Sequence, residues 1–342
     1  MSNLKLVNEA GPKISLVIPI YNEEAVLPIL VKRIKELIAK IDGETEVILV
    51  DDGSRDASVP YMRYVAEMDR AFRVIELSRN FGHQVAITAG MDAARGAAVV
   101  VMDADLQDPP EVVLQLIEKW KQGYEIVYAR RIKREGETAF KRVTANLFYR
   151  LLAAMTSVNI PRDVGDFRLV GRKALDTFKM MPERDRFVRG MFAWMGFRQT
   201  EVLFERQARA AGETKYPFWK MVRLATHGIV SFSEKPLRFA LWAGLAISGL
   251  AGVMGIIAVI GKLAGLASLD GWTSIVVIML FIGGVNLFMT GIVGLYVGGI
   301  HSEVKRRPLY VIGRDSAAES VLTQRPRRST DRPAAVQEKR LS

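Results

Sequence analysis

Two stretches without a charged residue, 23 residues at 239–261 and 29 at 272–300, constrain this chain more than any other feature. Each exceeds the roughly 20 apolar residues an α-helix needs to cross a bilayer core of about 30 Å. Both hold small residues at short spacing, Gly244 and Gly291 among them, as helices that pack closely in lipid do. Two buried helices of a soluble core are the competing reading. Lys235 and Arg238 precede the first stretch, Lys305, Arg306 and Arg307 follow the second, and the connection at 262–271 has one Lys and one Asp. Positive charge collects on the cytoplasmic side of membranes. The expectation is a transmembrane hairpin over 237–304 in the cytoplasmic (inner) membrane, with both termini and the region before the hairpin in the cytoplasm. Residues 1–13 contain no apolar core of a signal peptide, which agrees. Residues 216–236 mix Trp219, Met221, Leu224 and Phe232 with Lys220, Arg223 and His227, and are predicted to form an amphipathic helix on the membrane surface. Residues 305–342 are predicted to be a basic, largely disordered tail.

Residues 1–215 follow a different pattern. Stretches read as strands at 13–20, 46–50, 72–77 and 99–102 end in polar residues and are separated by helical stretches at 25–41, 56–68 and 84–95. A helix reaching about residue 122 and a strand at 125–129 follow. Such alternation predicts an α/β domain with a parallel, doubly wound sheet, whose ligands sit at the C-terminal ends of the strands. There the chain places Glu23, Asp51, Asp52, Asp103, Asp105 and Asp108. Asp103 and Asp105, at i and i+2, point the same way if strand geometry persists to them. Two hard carboxylates suit a divalent cation that completes its shell with water and phosphate. A solvated acidic turn, before a helix capped by Asp108 and entered through Pro109 and Pro110, explains the same residues. Asp52 is open in the same way between a base- or ribose-binding carboxylate and a helix cap.

The chain has no cysteine, which excludes disulfides, thiolate metal sites and cysteine catalysis. It also lacks GxGxxG and GxxxxGK[ST], so a nucleotide would have to be held by carboxylates and a metal. The net charge of +11 calls for an anionic partner. Arg130, Arg131, Lys133 and Arg134 form a basic loop; Asp166 stands beside a Gly turn at 164–169; Arg184, Arg186 and Arg189 cluster together. Those arginines suit phosphate pairing as well as they suit a solvated surface. Arg206, Arg209 and Lys215, around Gly212, suit lipid headgroups or a lipid-linked phosphate. His83, His227 and His301 are too scattered in sequence for a metal cluster and are assigned no catalytic role.

Four motifs in order, Pro19-Ile20-Tyr21-Asn22-Glu23, Asp51-Asp52-Gly53-Ser54, Asn80-Phe81-Gly82 and the run from Asp103 through Glu111, followed by the hairpin, resemble family 2 glycosyltransferases of the Rossmann-like GT-A fold. More closely they resemble the polyprenyl-phosphate sugar transferases: dolichol-phosphate mannose synthases and bacterial undecaprenyl-phosphate (bactoprenol) glucosyltransferases. The resemblance covers about residues 13–308. It implies that Pro19, Tyr21, Glu23 and Asp52 hold the nucleotide's base and ribose, and that Asp103, Asp105 and Gln107 surround Mg²⁺ or Mn²⁺ on the diphosphate. It implies that Asp166 is the family's third catalytic aspartate. Arg130 would bind the donor's phosphate, and Arg206, Arg209 and Lys215 the lipid's. The QxxRW motif of processive synthases is missing; Arg186-Phe187-Val188-Arg189 is the nearest segment, so polymerisation is disfavoured.

The reaction so implied is inverting transfer of a sugar, glucose from UDP-glucose first, to undecaprenyl phosphate for modification of cell-envelope glycans. An N-acetylhexosamine, mannose or an aminopentose are alternative sugars. The partners implied are a nucleotide sugar, a polyprenyl phosphate, the membrane and further copies of the chain, as a tetramer, with no nucleic acid. A catalytically inactive scaffold partnering a flippase is the reading from another class; it predicts missing carboxylates at the strand ends, and all are present.

Overall fold

The structure, a computed structural model, describes residues 13–132, 164–184, 186–205, 233–264 and 272–318. Strand β1 (Ile14–Ile20) leads through helix α1 (Leu27–Ile38), β2 (Thr45–Asp51), α2 (Ser58–Met68), β3 (Phe72–Leu77), α3 (His83–Ala93), β4 (Ala98–Val101) and α4 (Val112–Lys121) to β5 (Ile126–Arg131), the alternation that the sequence predicts. Then come β6 (Val164–Gly171), α5 (Arg172–Met180), α6 (Val188–Trp194), β7 (Gln199–Phe204), the long helices α7 (Lys235–Leu263) and α8 (Trp272–Val304), and β8 (Ile312–Asp315).

The strands form one eight-stranded sheet in the order β7-β5-β6-β4-β1-β2-β3-β8. Leu16, Ile18, Val47, Leu49 and Val100 face one apolar layer with α1, α2 and α4. Val17, Ile48, Val50, Val99 and Val101 face the other with α3, α5 and α6. Because both faces are covered, the central strands read as continuous apolar runs. Each fully buried Val, Leu or Ile contributes about 1.5–3 kcal/mol. Pro19 sits within β1 without breaking the sheet. Val17 accepts the last bond from the β4 side, at the Met102 amide, and alternation turns the nitrogen of Pro19 to that same side, beyond the end of β4.

Three expectations need correction. The sheet is mixed: β6 runs antiparallel to β4 and β5, and β8 antiparallel to β3. Residues 312–318, assigned above to a disordered tail, form β8 and a short helical turn. There Arg73 and Asp315 meet through two bonds of 3.0 and 2.6 Å, which gives this polar strand a fixed place on the edge of β3. Finally, Asp108 does not cap α4. That helix starts at Val112, and Asp108 is buried against Arg131 Nη2 at 3.5 Å.

Helices α7 and α8 span 29 and 33 residues and are long and apolar enough to cross a membrane. Their apolar side chains, such as Leu241, Ile256, Phe281 and Phe288, are exposed. The Tyr296 hydroxyl of α8 donates to the Ser233 carbonyl just before α7. Chain direction decides which end of the sheet they adjoin. β7 runs parallel to β5 and leaves the sheet at the end where β1 to β4 terminate. β8 enters at that same end, its Ile312 beside Leu77, and Glu303 of α8 accepts the Arg184 amide from the loop between α5 and α6. Residues 140–155, Lys133, Arg134, Arg206, Arg209, Lys215, His227 and the amphipathic segment up to 232 lie outside the described residues.

Candidate active site

The loops after β1 and β2 are laced together by short polar side chains. The Asn22 amide donates to Ser54 Oγ at 3.0 Å and Asn22 Oδ1 accepts from the Arg55 amide at 2.8 Å. The Glu23 amide donates to Ser58 Oγ, while Glu24 Oε2 accepts the Ala57 amide. Asn22 adopts a φ of 55° in this lacing, an uncommon conformation that the surrounding bonds hold in place. The result is a cleft of about 520 Å³ between the ends of β2 and β3, lined by Tyr21, Asp51, Arg55, Glu76, Arg79 and Asn80 among others. That is within the range of small-molecule sites. Burial pushes the Asp51 carboxyl above its ordinary value, against hydrogen bonds from Ser54 and Gly53.

Gly53 makes this cleft possible. Its φ is +73°, and a Cβ there would lie 2.6 Å from the Asn80 backbone nitrogen. Gly53→Ala is expected to push the 79–80 wall outward and weaken nucleotide binding at least about tenfold, or ~1.4 kcal/mol, read by calorimetric titration. A variant that bound nucleotide as tightly as the parent would remove the nucleotide from this cleft.

Beside the cleft, a carboxylate cluster assembles from three elements. β4 ends at Val101, so strand alternation does not carry through Asp103 and Asp105; a tight turn orients them instead, with Leu106 at a φ of 56°. The buried Leu106 anchors this turn, and Asp105 Oδ1 accepts the Gln107 amide at 3.2 Å. From β6 comes Asp166, 6% exposed. Its carboxylate accepts from Gln84 Nε2 at 2.9 Å and from Arg189 Nε and Nη2 at 3.0 and 3.3 Å. His83, the first residue of α3, bridges the two groups: its Nε2 is 3.4 Å from both Asp103 Oδ1 and Asp166 Oδ2.

The electrostatics separate these carboxylates. Burial, with the repulsion of Asp166, Asp108 and Asp105 and against the pull of His83, pushes Asp103 up to about 6. Burial also opposes ionisation of Asp166, but the charge of Arg189, hydrogen bonds from His83 and Arg189, and the charge of Arg168 override it. They hold Asp166 far below the usual carboxylate range. Arg168, itself buried, is lowered to about 10 by desolvation and stays charged at neutral pH. For His83, burial is outweighed by the hydrogen bond to Asp166 and the charges of Asp103 and Asp166, which raise it above the ordinary imidazole value.

The donor set fits a hard divalent cation that takes part of its shell from a ligand. Asp103 Oδ1 is shut from solvent and accepts no hydrogen bond among the described residues, and its carboxyl resists ionisation where it stands. A cation would compensate that charge. Among the described residues no group of three or more His, Asp or Glu is arranged as a complete cage, so Asp103 and Asp105 would share the ion with phosphate and water.

Other residues expected here take different places. Asp52 spends its carboxylate on the Phe81 and Gly82 amides, at 2.7 and 2.9 Å. It thereby caps the approach to α3, and Asp51 lines the cleft in its stead. Pro19 is buried inside β1, whereas Tyr21 is half-exposed at the cleft. Arg130 pairs with Glu201 across the β5–β7 edge, at 3.0 and 3.1 Å; alternation turns its neighbour Arg131 towards the Asp103–Asp108 turn. Of the arginine cluster, Arg189 serves Asp166, while Arg186 donates to the Met181 and Glu183 carbonyls. His83, dismissed on sequence spacing, stands at the centre of the site together with Gln84.

The model of the family described as Glycosyl transferase family 2 matches residues 15–178. An uncharacterized glycosyltransferase of Bacillus subtilis (strain 168) is 48% identical over 306 residues, 90% of this chain and 95% of that one. The bactoprenol glucosyl transferase of Shigella phage SfII is 39% identical over 300 residues, 88% of this chain and 97% of that one. Among solved structures, glucosyl-3-phosphoglycerate synthase from Mycobacterium tuberculosis, in complex with Mn²⁺, UDP-glucose and phosphoglyceric acid, covers 65% of this chain and 80% of that chain, at 24% identity and a TM-score of 0.44. The span matched by the family model runs from β1 into α5 and contains every carboxylate of the cluster.

Proposed function

This chain belongs to glycosyl transferase family 2, and from that premise we propose that it moves glucose from UDP-glucose to undecaprenyl phosphate at the cytoplasmic face of the inner membrane. It is an enzyme that transfers sugar, and relatives named bactoprenol glucosyl transferases support a polyprenyl lipid as acceptor. One observation carries the reading of this chain's own site. The end of β7, the end of α8 and the start of β8 all adjoin the end of the sheet where Asp103, Asp105 and Asp166 lie. A lipid acceptor held among the membrane helices would meet the donor there.

The donor's uridine would occupy the cleft beside Tyr21 and Asp51, and Asp103 and Asp105 would hold Mg²⁺ or Mn²⁺ on its diphosphate. The cation supplies neutralisation of the charge that develops on the leaving nucleoside diphosphate. A phosphate oxygen of the lipid attacks the anomeric carbon, the bond from that carbon to the UDP oxygen breaks, and UDP leaves with the bonding pair, inverting the configuration. The acceptor monoester is already largely ionised at pH 7, its second pKa being about 6. No strong base is needed, and Asp166, held ionised by Arg189 and Arg168, is a poor one. Its role is to orient: through His83 and Gln84 it fixes the groups that face the acceptor.

The test is turnover in detergent or membranes with undecaprenyl phosphate, Mg²⁺ or Mn²⁺ and a panel of labelled UDP- and GDP-sugars. Label entering the lipid phase from UDP-glucose supports the proposal; label from another sugar alone replaces the donor, and none from any donor overturns lipid transfer. Within the same assay, Lys215→Ala is expected to raise the KM for the lipid about tenfold, the loss of one charge-assisted contact of ~1.5 kcal/mol, while leaving the KM for UDP-glucose unchanged. Equal effects on both substrates would remove Lys215 from the lipid site.

A further inference from the structure

We propose that β8 is a working part of the donor cleft, with Asp315 and Tyr310 as positioning residues that hold the β3 wall of that cleft in place. The proposal rests on the donor assignment above for its kinetic consequence, and on geometry alone for its mechanical one.

One wall of the cleft is the end of β3 and the turn after it: Glu76, Leu77, Ser78, Arg79 and Asn80. β8 is bonded along this wall. Glu76 pairs with Arg314 and Leu77 with Ile312, with an irregularity between them, and the Ser78 amide donates to the Val311 carbonyl at 2.9 Å. Without β8, β3 would be the edge of the sheet, and edge backbone groups fray towards solvent.

What fastens β8 lies three residues before the wall on β3 and is mostly buried. Arg73 Nε and Nη2 donate to Asp315 Oδ1 and Oδ2 at 3.0 and 2.6 Å, and the two side chains are 18% and 16% exposed. The third nitrogen of Arg73 donates to the Ala93 carbonyl at the end of α3. One guanidinium thus joins β3, β8 and α3. Ser316 Oγ accepts the Val74 amide at 2.9 Å. At the other end of the strand, the Tyr310 hydroxyl donates to Asp92 Oδ2 at 2.9 Å, fixing the chain just before it meets Ser78. Only residues 305–311 separate α8 from β8, a reach of at most about 25 Å when fully extended. The cleft wall is therefore tied by a short strap to the second long helix, which is itself held against the domain through Glu303 and Arg184.

The experiment uses the full chain in detergent, with Asp315→Asn, which breaks the bidentate pair, and Tyr310→Phe, which removes one hydroxyl and leaves the packing. Steady-state kinetics with UDP-glucose and undecaprenyl phosphate are combined with hydrogen exchange at residues 76–80. Asp315→Asn is expected to raise the KM for UDP-glucose about tenfold, with kcat at saturating donor and the KM for the lipid within twofold, and to speed exchange at 76–80. Tyr310→Phe is expected to shift both in the same direction by about threefold. Donor KM and exchange at 76–80 that match the parent, whatever happens to the melting temperature, overturn the proposal. Should UDP-glucose prove not to be the donor, faster exchange at 76–80 still upholds the mechanical coupling, and the donor assignment alone fails.

Discussion

Asp105→Ala is expected to cut turnover by roughly 10³-fold, the scale of losing a principal electrostatic stabiliser of a transition state, with little change in melting temperature. Asp105 is part-buried in a turn, and its Oδ1 accepts the Gln107 amide at 3.2 Å. Removing its carboxylate leaves the buried Leu106 anchor untouched. Stability should fall by no more than about 1 kcal/mol, as for a surface change away from the core. On the proposed metal role of Asp105, titration of Mn²⁺ in the presence of UDP-glucose should show weakened uptake of the ion, independent of any turnover assay. An Asp105→Ala variant that retained both turnover and Mn²⁺ uptake would remove the turn from the reaction.

Asp166→Asn should lose activity by a similar factor but for a different reason, and should lose stability as well. Arg168, 2% exposed, depends on Asp166 for its countercharge, and Arg189 reaches the same carboxylate through two bonds. Breaking a buried charge pair from one side costs about 3–5 kcal/mol, because the remaining charge stays buried without compensation. A lowered melting temperature alongside lost turnover is therefore expected of Asp166→Asn. Donor affinity should stay near that of the parent, since Asp166 lies outside the cleft lined by Tyr21 and Asp51. A variant that turned over at the parent's rate with saturating substrates would show that orientation by Asp166 contributes nothing to the chemistry.

β1, β2 and β4 were legible because each is buried on both faces, so that their apolar runs stop where the site begins. β6 was not, and for the same physical reason inverted. Its Phe167 and Leu169 face an apolar layer, but its other face carries Asp166 and Arg168, so Val-Gly-Asp-Phe-Arg reads as a turn. A strand that carries charge into the inside of a protein disguises itself in this way. Arg130 and Arg131 show a second limit: adjacent strand residues point to opposite faces, and composition does not say which one meets the site. His83 shows a third. The spacing of the histidines in sequence sets it aside, yet its true neighbours, Asp103 and Asp166, are supplied by the turn after β4 and by β6. The available signal was its position directly after the Asn80-Phe81-Gly82 motif, at the start of a helix.

The pairing of β3 with β8 also imposes an order of events on biosynthesis. Arg73 and Asp315 are separated by 242 residues. At a synthesis rate of roughly 5–20 residues per second, about 12–50 s pass between the appearance of the two partners. Throughout that interval the edge of β3 waits, bearing the charges of Arg73 and Glu76, which discourage it from pairing with other chains. Its proper partner emerges only after both long helices have been made. A chain stalled before α8, or one whose hairpin fails to fold back, keeps an incomplete sheet beside the cleft at Tyr21 and Asp51. Completion of the sheet is thereby made to wait for the two long helices.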